Sequence, residues 1–188
     1  NMSDHCVAIV MAAGQGTRMK SNLPKVMHPI CGRPMVAHVI QACLDAGAVQ
    51  VVVVTGHGRE QVEASLAAHF DERVKYTVQE QQRGTGDAVR VGLTGVEGSP
   101  SRVMILSGDT PLVNGSMLRT LLASARESAA PFTMLTSKVI DPNGYGRILR
   151  DGANRIAAIR EHRDCKPEEL EIREVNPAFY VAALPFLR

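Results

Sequence analysis

The run Val51-Val52-Val53-Val54 limits the possible folds of this chain more than any other stretch. Consecutive β-branched side chains favour a strand over a helix. With no polar residue among them, neither face of that strand is left for water. A strand buried on both faces belongs in a sheet that helices cover from either side. Val7-Ala8-Ile9-Val10-Met11 and Val103-Met104-Ile105-Leu106 are runs of the same kind. Between them lie helical patterns. Met35, Val36, Val39, Ile40, Cys43 and Leu44 fall on one face at the helical period, and Gly47 follows where a helix end favours glycine. Residues 59–69 and Ser116–Ser128 read as further helices, the second with Leu118, Leu121, Leu122 and Ala125 on one side. Val74–Val78, Phe132–Thr136, Ile156–Ile159 and Phe179–Val181 are the remaining strand candidates. Alternation of this kind predicts an α/β fold with a mostly parallel sheet. Ligands of such folds bind outside the carboxyl ends of the strands. The loops at Gly14, at Gly56-His57-Gly58 and at Ser107-Gly108-Asp109 all follow strand runs, so they are expected to converge on one edge.

Composition excludes several classes. The 188 residues carry 45% hydrophobic and 21% charged side chains, as an ordinary globular domain does. A net charge of +2 and the absence of any basic block point away from nucleic acid and membrane surfaces. No apolar run approaches the roughly 20 residues of a membrane span, and the N-terminus lacks the pattern of a secretory leader. Asn1-Met2-Ser3 reads as a short remnant ahead of the native start. Cys6, Cys31, Cys43 and Cys165 form no Cys-x-x-Cys pair and are expected to be small buried thiols in a reducing cytoplasm. The histidines show no zinc spacing. No repeat, linker or low-complexity segment divides the chain, which therefore reads as one domain.

The loop after the first strand run reads Met11-Ala12-Ala13-Gly14-Gln15-Gly16-Thr17-Arg18. Its glycines let an anion approach backbone N–H groups. No acidic residue occurs between Asp4 and Asp45, whereas Arg18, Lys20, Lys25 and Arg33 all fall there. A polyphosphate site needs such a field. A tight strand-to-helix turn with solvated basic side chains would read the same way. The loop is neither a dinucleotide fingerprint, since position 19 is Met, nor a P-loop, since Thr17-Arg18 follows Gly16.

Further candidates lie downstream. Asp109 closes a buried strand run, as a Mg²⁺-binding carboxylate at a nucleotide site does; it also fits a turn aspartate ahead of Pro111. Gln79 to Ala88 is a polar stretch opening a helix. A glutamine amide there could match the donor and acceptor edge of a pyrimidine, with Gly84-Thr85-Gly86 offering backbone groups, while Thr85 or Asp87 could simply cap the helix. Asp141 to Ile148 is dense in turn residues, and Glu161 and Asn176 taken singly read as solvated polar groups.

Taken together these segments resemble the sugar-phosphate nucleotidyltransferases, most closely the uridyltransferase domain of bifunctional enzymes that make UDP-N-acetylglucosamine. The family's Leu-Ala-Ala-Gly-x-Gly-Thr-Arg-Met and Pro-Lys are matched by Met11 to Met19 and Pro24-Lys25, with Met for the leading Leu. Its Gln-x-x-Gln-x-Gly-Thr-Gly-His-Ala resembles Gln79 to Ala88, with Asp87 in place of His. Gly108-Asp109-Thr110-Pro111-Leu112, Asp141 to Ile148, Glu161-His162-Arg163-Asp164 and Glu174-Val175-Asn176 are similar to four further motifs in order. The likeness runs from about residue 7 to residue 183. It implies a three-layer Rossmann-like nucleotidyltransferase fold with a mixed central sheet. It also implies that Met11, Ala12, Ala13, Gly14, Gln79, Gly84 and Thr85 hold uridine and that Arg18 and Lys25 hold phosphates. Ser107 and Gly108 would line the site, Asp109 would bind Mg²⁺, and Gly146, Glu161 and Asn176 would contact an acetylated sugar. One departure falls after Asn176, where the family has a small residue and then Gly; this chain has Pro177-Ala178.

The implied reaction joins UTP and a sugar 1-phosphate with release of pyrophosphate, in the cytoplasm, with Arg18, Lys25 and Asp109 as the catalytic set. The resemblance places a second Mg²⁺ ligand, an Asn, and a trimer-forming β-helix acetyltransferase domain beyond Arg188, so the chain is expected to be a C-terminally shortened nucleotidyltransferase domain of a homotrimeric parent. The alternatives are a related transferase using another sugar or base, and a nucleotide-sugar-binding module without turnover.

Overall fold

Residues 5–14 and 23–188 are described by a computed structural model. In chain order the elements are β1 (Cys6–Met11), β2 (Pro29–Ile30), β3 (Arg33–Pro34), α1 (Met35–Asp45), β4 (Ala48–Thr55) and α2 (Arg59–Ala67). There follow β5 (Val74–Val78), α3 (Thr85–Leu93), β6 (Arg102–Ser107), α4 (Gly115–Glu127) and β7 (Phe132–Met134). The last are β8 (Ser137–Lys138), β9 (Gly146–Arg150), β10 (Ile156–Arg160), α5 (Pro167–Leu170), β11 (Glu174–Asn176), β12 (Tyr180–Ala183) and α6 (Leu184–Leu187). The chain divides into two compact units, Asn1–Thr133 with Tyr180–Arg188, and Met134–Phe179.

The first unit carries a sheet of order β5-β4-β1-β6-β12-β7. β5, β4, β1 and β6 run parallel, and β12 is antiparallel to β6. The four-valine run occupies the middle of β4, fully buried. Side chains alternate across the sheet. Val7, Ile9, Val52, Val54, Val103 and Ile105 cluster on one face with Ala88 of α3. Ala8, Val10, Val51, Val53, Met104 and Leu106, all buried, point to the other. There α1 packs on β1 and β4 and against α4. The expected sheet covered on both faces is thus present.

Burial rather than capping secures α1. No side chain caps its N-terminus, but Val36, Val39 and Ile40 are fully buried. Burying each large aliphatic side chain is worth about 1.5–3 kcal/mol, against about 1 kcal/mol for a missing cap. Gly47 ends the helix at φ +98, its N–H donating to the Leu44 carbonyl. α3 departs from expectation, because Gly84 at φ +94 takes the N-cap position in place of Thr85 or Asp87. The cysteines also divide: Cys6 and Cys43 are buried, Cys165 is half-buried, and Cys31 is exposed in the β2–β3 turn.

The second unit is a four-stranded sheet of order β10-β9-β11-β8, with antiparallel pairs. Its central residue is Arg147, fully buried. The Arg147 guanidinium donates to the carbonyls of Pro142 at 2.7 Å, Tyr145 at 2.5 Å and Leu170 at 3.3 Å. One buried cation therefore ties the turn before β9 to the end of α5. Among the described residues no helix is long and apolar enough to cross a membrane.

Candidate active site

The loops expected to converge do so at the carboxyl end of β1. Met11 stands in register with Val54 of β4 and Ser107 of β6. Beyond it, the Ala12 N–H donates to the Val54 carbonyl, and the Gly108 N–H donates to the Met11 carbonyl, both at 2.8 Å. A Cβ on Gly108 would lie 3.1 Å from the Met11 carbonyl oxygen and 3.3 Å from Val26 and Val36, so glycine lets the β6 loop lie this close. The chain leaves β1 for β4 and β5 on one side and returns to β6 on the other. That reversal of strand order opens the crevice in which ligands of α/β sheets bind.

On the β6 side the chemistry gathers at Asp109. One carboxylate oxygen accepts from Ser107 Oγ at 2.6 Å, and the other pairs with Lys25 Nζ at 2.5 Å. Lys25 opens a short 3-10 turn, Lys25–Met27, whose Val26 and Met27 are buried and anchor it. Partial burial pushes the Asp109 carboxyl up, but the bonds from Lys25 and Ser107 outweigh it and hold the group below the usual carboxylate range. The site therefore contains an ionised carboxylate and an ammonium in balance. A carboxylate is a hard oxygen donor suited to Mg²⁺, which takes one or two carboxylates and completes its shell with water and phosphate oxygens. Asp109 offers one such carboxylate. Among the described residues no group of three or more His, Cys, Asp or Glu side chains assembles. Arg18, with Gly16 and Thr17, lies outside the described residues.

On the β4 side is a cavity of about 270 Å³ lined by Met11, Ala13, Gly14, Gln79, Gln82, Gly84, Thr85, Ala88 and Ser107. Most of the uridine residues expected from the sequence thus share one hollow, with Ser107 linking it to the Asp109 side. A second cavity of about 510 Å³, lined by residues 56–59 and 78–80 with Gln82, shares Gln79 and Gln82 with the first. Gln79 is buried, and its backbone N–H donates to the Thr55 carbonyl at 2.8 Å. Gln82 donates from Nε2 to the Ala13 carbonyl at 2.5 Å, a tie between the two loops that spacing did not announce.

The three expected sugar residues come together within the second unit. Gly146 and Asn176 are register partners on β9 and β11. A Cβ on Gly146 would lie 3.5 Å from Glu161 Oε1. Glu174, two residues before Asn176, accepts from Thr136 and from both nitrogens of an Arg150 fork. The Arg150 bonds first, and then Thr136, lower its carboxyl to about 2 against the opposing effect of burial. The departure at Pro177-Ala178 has a structural counterpart. Ala178 sits at φ +63, the left-handed region that favours glycine, and its N–H donates to Asn176 Oδ1 at 2.9 Å. Ala178→Gly is expected to stabilise the protein by about 0.5–1 kcal/mol, the left-handed penalty relieved less the extra freedom of the unfolded glycine. Chemical denaturation measures it; a variant no more stable than the parent would show that Ala178 stores no strain.

With the geometry in hand, similarities to known proteins are informative. The family model of the MobA-like NTP transferase domain matches residues 8–169. The Bifunctional protein GlmU of Sorangium cellulosum (strain So ce56) is 51% identical over 184 residues, spanning 96% of this chain and 39% of that protein. The Bifunctional protein GlmU of Trichlorobacter lovleyi is 45% identical over 181 residues, again 96% of this chain and 39% of the relative. The chain thus spans about two fifths of the length of the curated relatives it matches. Among solved structures, UDP-glucose pyrophosphorylase complexed with UDP-glucose superposes with a TM-score of 0.77 at 17% identity, covering 95% of this chain and 76% of that one. HddC from Yersinia pseudotuberculosis gives 0.75 at 19% identity, covering 94% and 76%. At those identities the likeness is one of fold.

Proposed function

We propose, because the chain belongs to the family of MobA-like NTP transferase domains, that it transfers a uridylyl group from UTP to N-acetylglucosamine 1-phosphate and releases pyrophosphate. The observation that carries this proposal is the Lys25–Asp109 pair, seated against Ser107 where the strand order reverses and beside the cavity that Gln79 lines. In the transfer, an oxygen of the sugar 1-phosphate attacks the α-phosphorus of UTP in line. The bond from that phosphorus to the oxygen bridging the β-phosphate breaks, and pyrophosphate leaves with the electron pair. Such a displacement needs positioning and neutralisation of charge more than covalent help. Lys25, half exposed toward the crevice, holds its ammonium between two phosphates that otherwise repel. Asp109 would hold Mg²⁺, which when bound neutralises charge developing on the α-phosphate. Arg18 is assigned to the leaving pyrophosphate as a bidentate donor. Met11 to Gly14, Gln79, Gly84 and Thr85 are assigned to uridine, Gly146, Glu161 and Asn176 to the acetylated sugar.

A matrix of nucleoside triphosphates against sugar 1-phosphates, read by pyrophosphate release, tests the proposal. UTP with N-acetylglucosamine 1-phosphate is expected to give the highest kcat/KM. Another pair ranking first would overturn the substrate assignment. No release from any pair, with UTP still bound, would favour a binding module instead.

A further inference from the structure

Asp87, which stands where the resembling family carries histidine, touches the one side chain assigned to reading the base. Gln79 Nε2 donates to Asp87 Oδ2 at 2.8 Å, and Arg90 donates to Asp87 Oδ1 through Nε at 3.2 Å and a terminal nitrogen at 2.8 Å. An ionised carboxylate only accepts hydrogen bonds, so the Gln79 atom facing it must be the amide nitrogen. The hydrogen bond from Gln79, and after it those from Arg90, hold the Asp87 carboxyl below the usual range against the effect of burial. Its charge is therefore present at neutral pH, and the amide cannot turn round without placing oxygen against oxygen. Among the described residues Gln79 Oε1 accepts no hydrogen bond, and Gln79 lines the cavity with Gly84 and Thr85.

We infer that Asp87 is a specificity-positioning residue: by fixing the Gln79 amide it presents Oε1 as a pure acceptor to the base. An acceptor at that point matches the N3–H donor of an imide edge, the edge of uracil. It repels cytosine, whose N3 is itself an acceptor. Arg90 contributes mainly by keeping Asp87 in place, since its side chain is 69% exposed while that of Asp87 is 16% exposed, and exposed ion pairs are weak. The inference rests on the uridylyl reading above, and it assigns the base discrimination to a residue outside the set that touches the nucleotide.

The test is equilibrium titration of UTP and of CTP, each with Mg²⁺, on the parent chain and on Asp87→Asn and Asp87→Ala, with thermal melts alongside. Asparagine is nearly isosteric but meets Gln79 with either a donor or an acceptor, and alanine meets it with neither. The parent is expected to prefer UTP. In both variants the ratio of CTP to UTP dissociation constants should fall about tenfold or more, mostly through weaker UTP, as for one misplaced hydrogen bond. A parent preference for UTP that persists unchanged in both variants overturns the inference and leaves the uridylyl reading standing. So does equal weakening of both nucleotides, which marks a merely structural Asp87. A parent chain without any preference for UTP overturns the inference and the base assignment together.

Discussion

Lys25→Ala lowers kcat for pyrophosphate release by about 10²-fold or more, while UTP binding weakens less than about fivefold. The side chain is 41% exposed and its partner Asp109 29%. An ion pair that open contributes under about 1 kcal/mol to folding, so the variant should melt close to the parent. On the proposed reading the loss falls on the reaction, because that reading assigns the ammonium to the place where two phosphates must meet. Removing it also takes away the Lys25 hydrogen bond and charge that lower the Asp109 carboxyl, so among the described residues Ser107 and the backbone at Asp109 are left to oppose burial and the carboxyl rises. Lys25→Arg, which keeps the charge on a wider, planar head, should recover only part of the rate. Steady-state kinetics and a UTP titration on the same preparations decide the matter. A variant with near-normal kcat would remove Lys25 from the mechanism.

Arg147→Met should cost about 3 kcal/mol or more of stability. Methionine fills much of the volume of the arginine stem but donates nothing. The carbonyls of Pro142, Tyr145 and Leu170 would lose their shared charged donor, Pro142 keeping only the Tyr145 N–H, and a hydrogen bond to a charged group is worth about 1.5–3 kcal/mol. Chemical denaturation gives the total, and amide hydrogen exchange locates it. The turn that Tyr145 N–H closes on the Pro142 carbonyl should lose protection first. A loss below about 1 kcal/mol would mean that water reaches these carbonyls and that Arg147 merely fills space.

The parallel half of the fold was readable because its strands are long and unbroken. Val51–Val54 and Val103–Leu106 lie within β4 and β6, and the periodic face from Met35 to Leu44 is α1. The convergence of the Met11, Gly56 and Gly108 loops followed from topology alone. The second unit was harder to read. β8 has two residues and β11 three, too short for alternation to show. β9 carries an arginine at its most buried point, and arginine ordinarily signals surface. In the site, residue types were legible while partnerships were not. Lys25 and Asp109 are 84 positions apart in sequence, and nothing in either segment announces the other. Gln79 and Asp87 lie eight apart across a loop and a helix start. No periodicity rule joins those two, and only the fold closes the distance. Gly84 as helix cap was hidden because the polar residues after it look like better caps.

The single strand β1 stands between two sources of loops, and this bears on how such a site could diversify. The cavity proposed for the base is lined from the segment after β5 and from the end of β1 with its loop, while Ser107 ends β6 and Asp109 follows it. The two sides are joined mainly through the backbone of residues 11–13, by the bonds of Ala12 to Val54, Gln82 to Ala13 and Gly108 to Met11. The Ala12 and Gly108 bonds are backbone to backbone and survive substitution of side chains on either side, whereas the Gln82 bond needs its side-chain amide. Selection for a new base could therefore rewrite residues 79–90 other than Gln82 without disturbing the carboxylate and ammonium. The reverse holds for changes around Asp109. One shared spine thus separates the choice of letter from the chemistry of transfer, so each can vary while the other is kept.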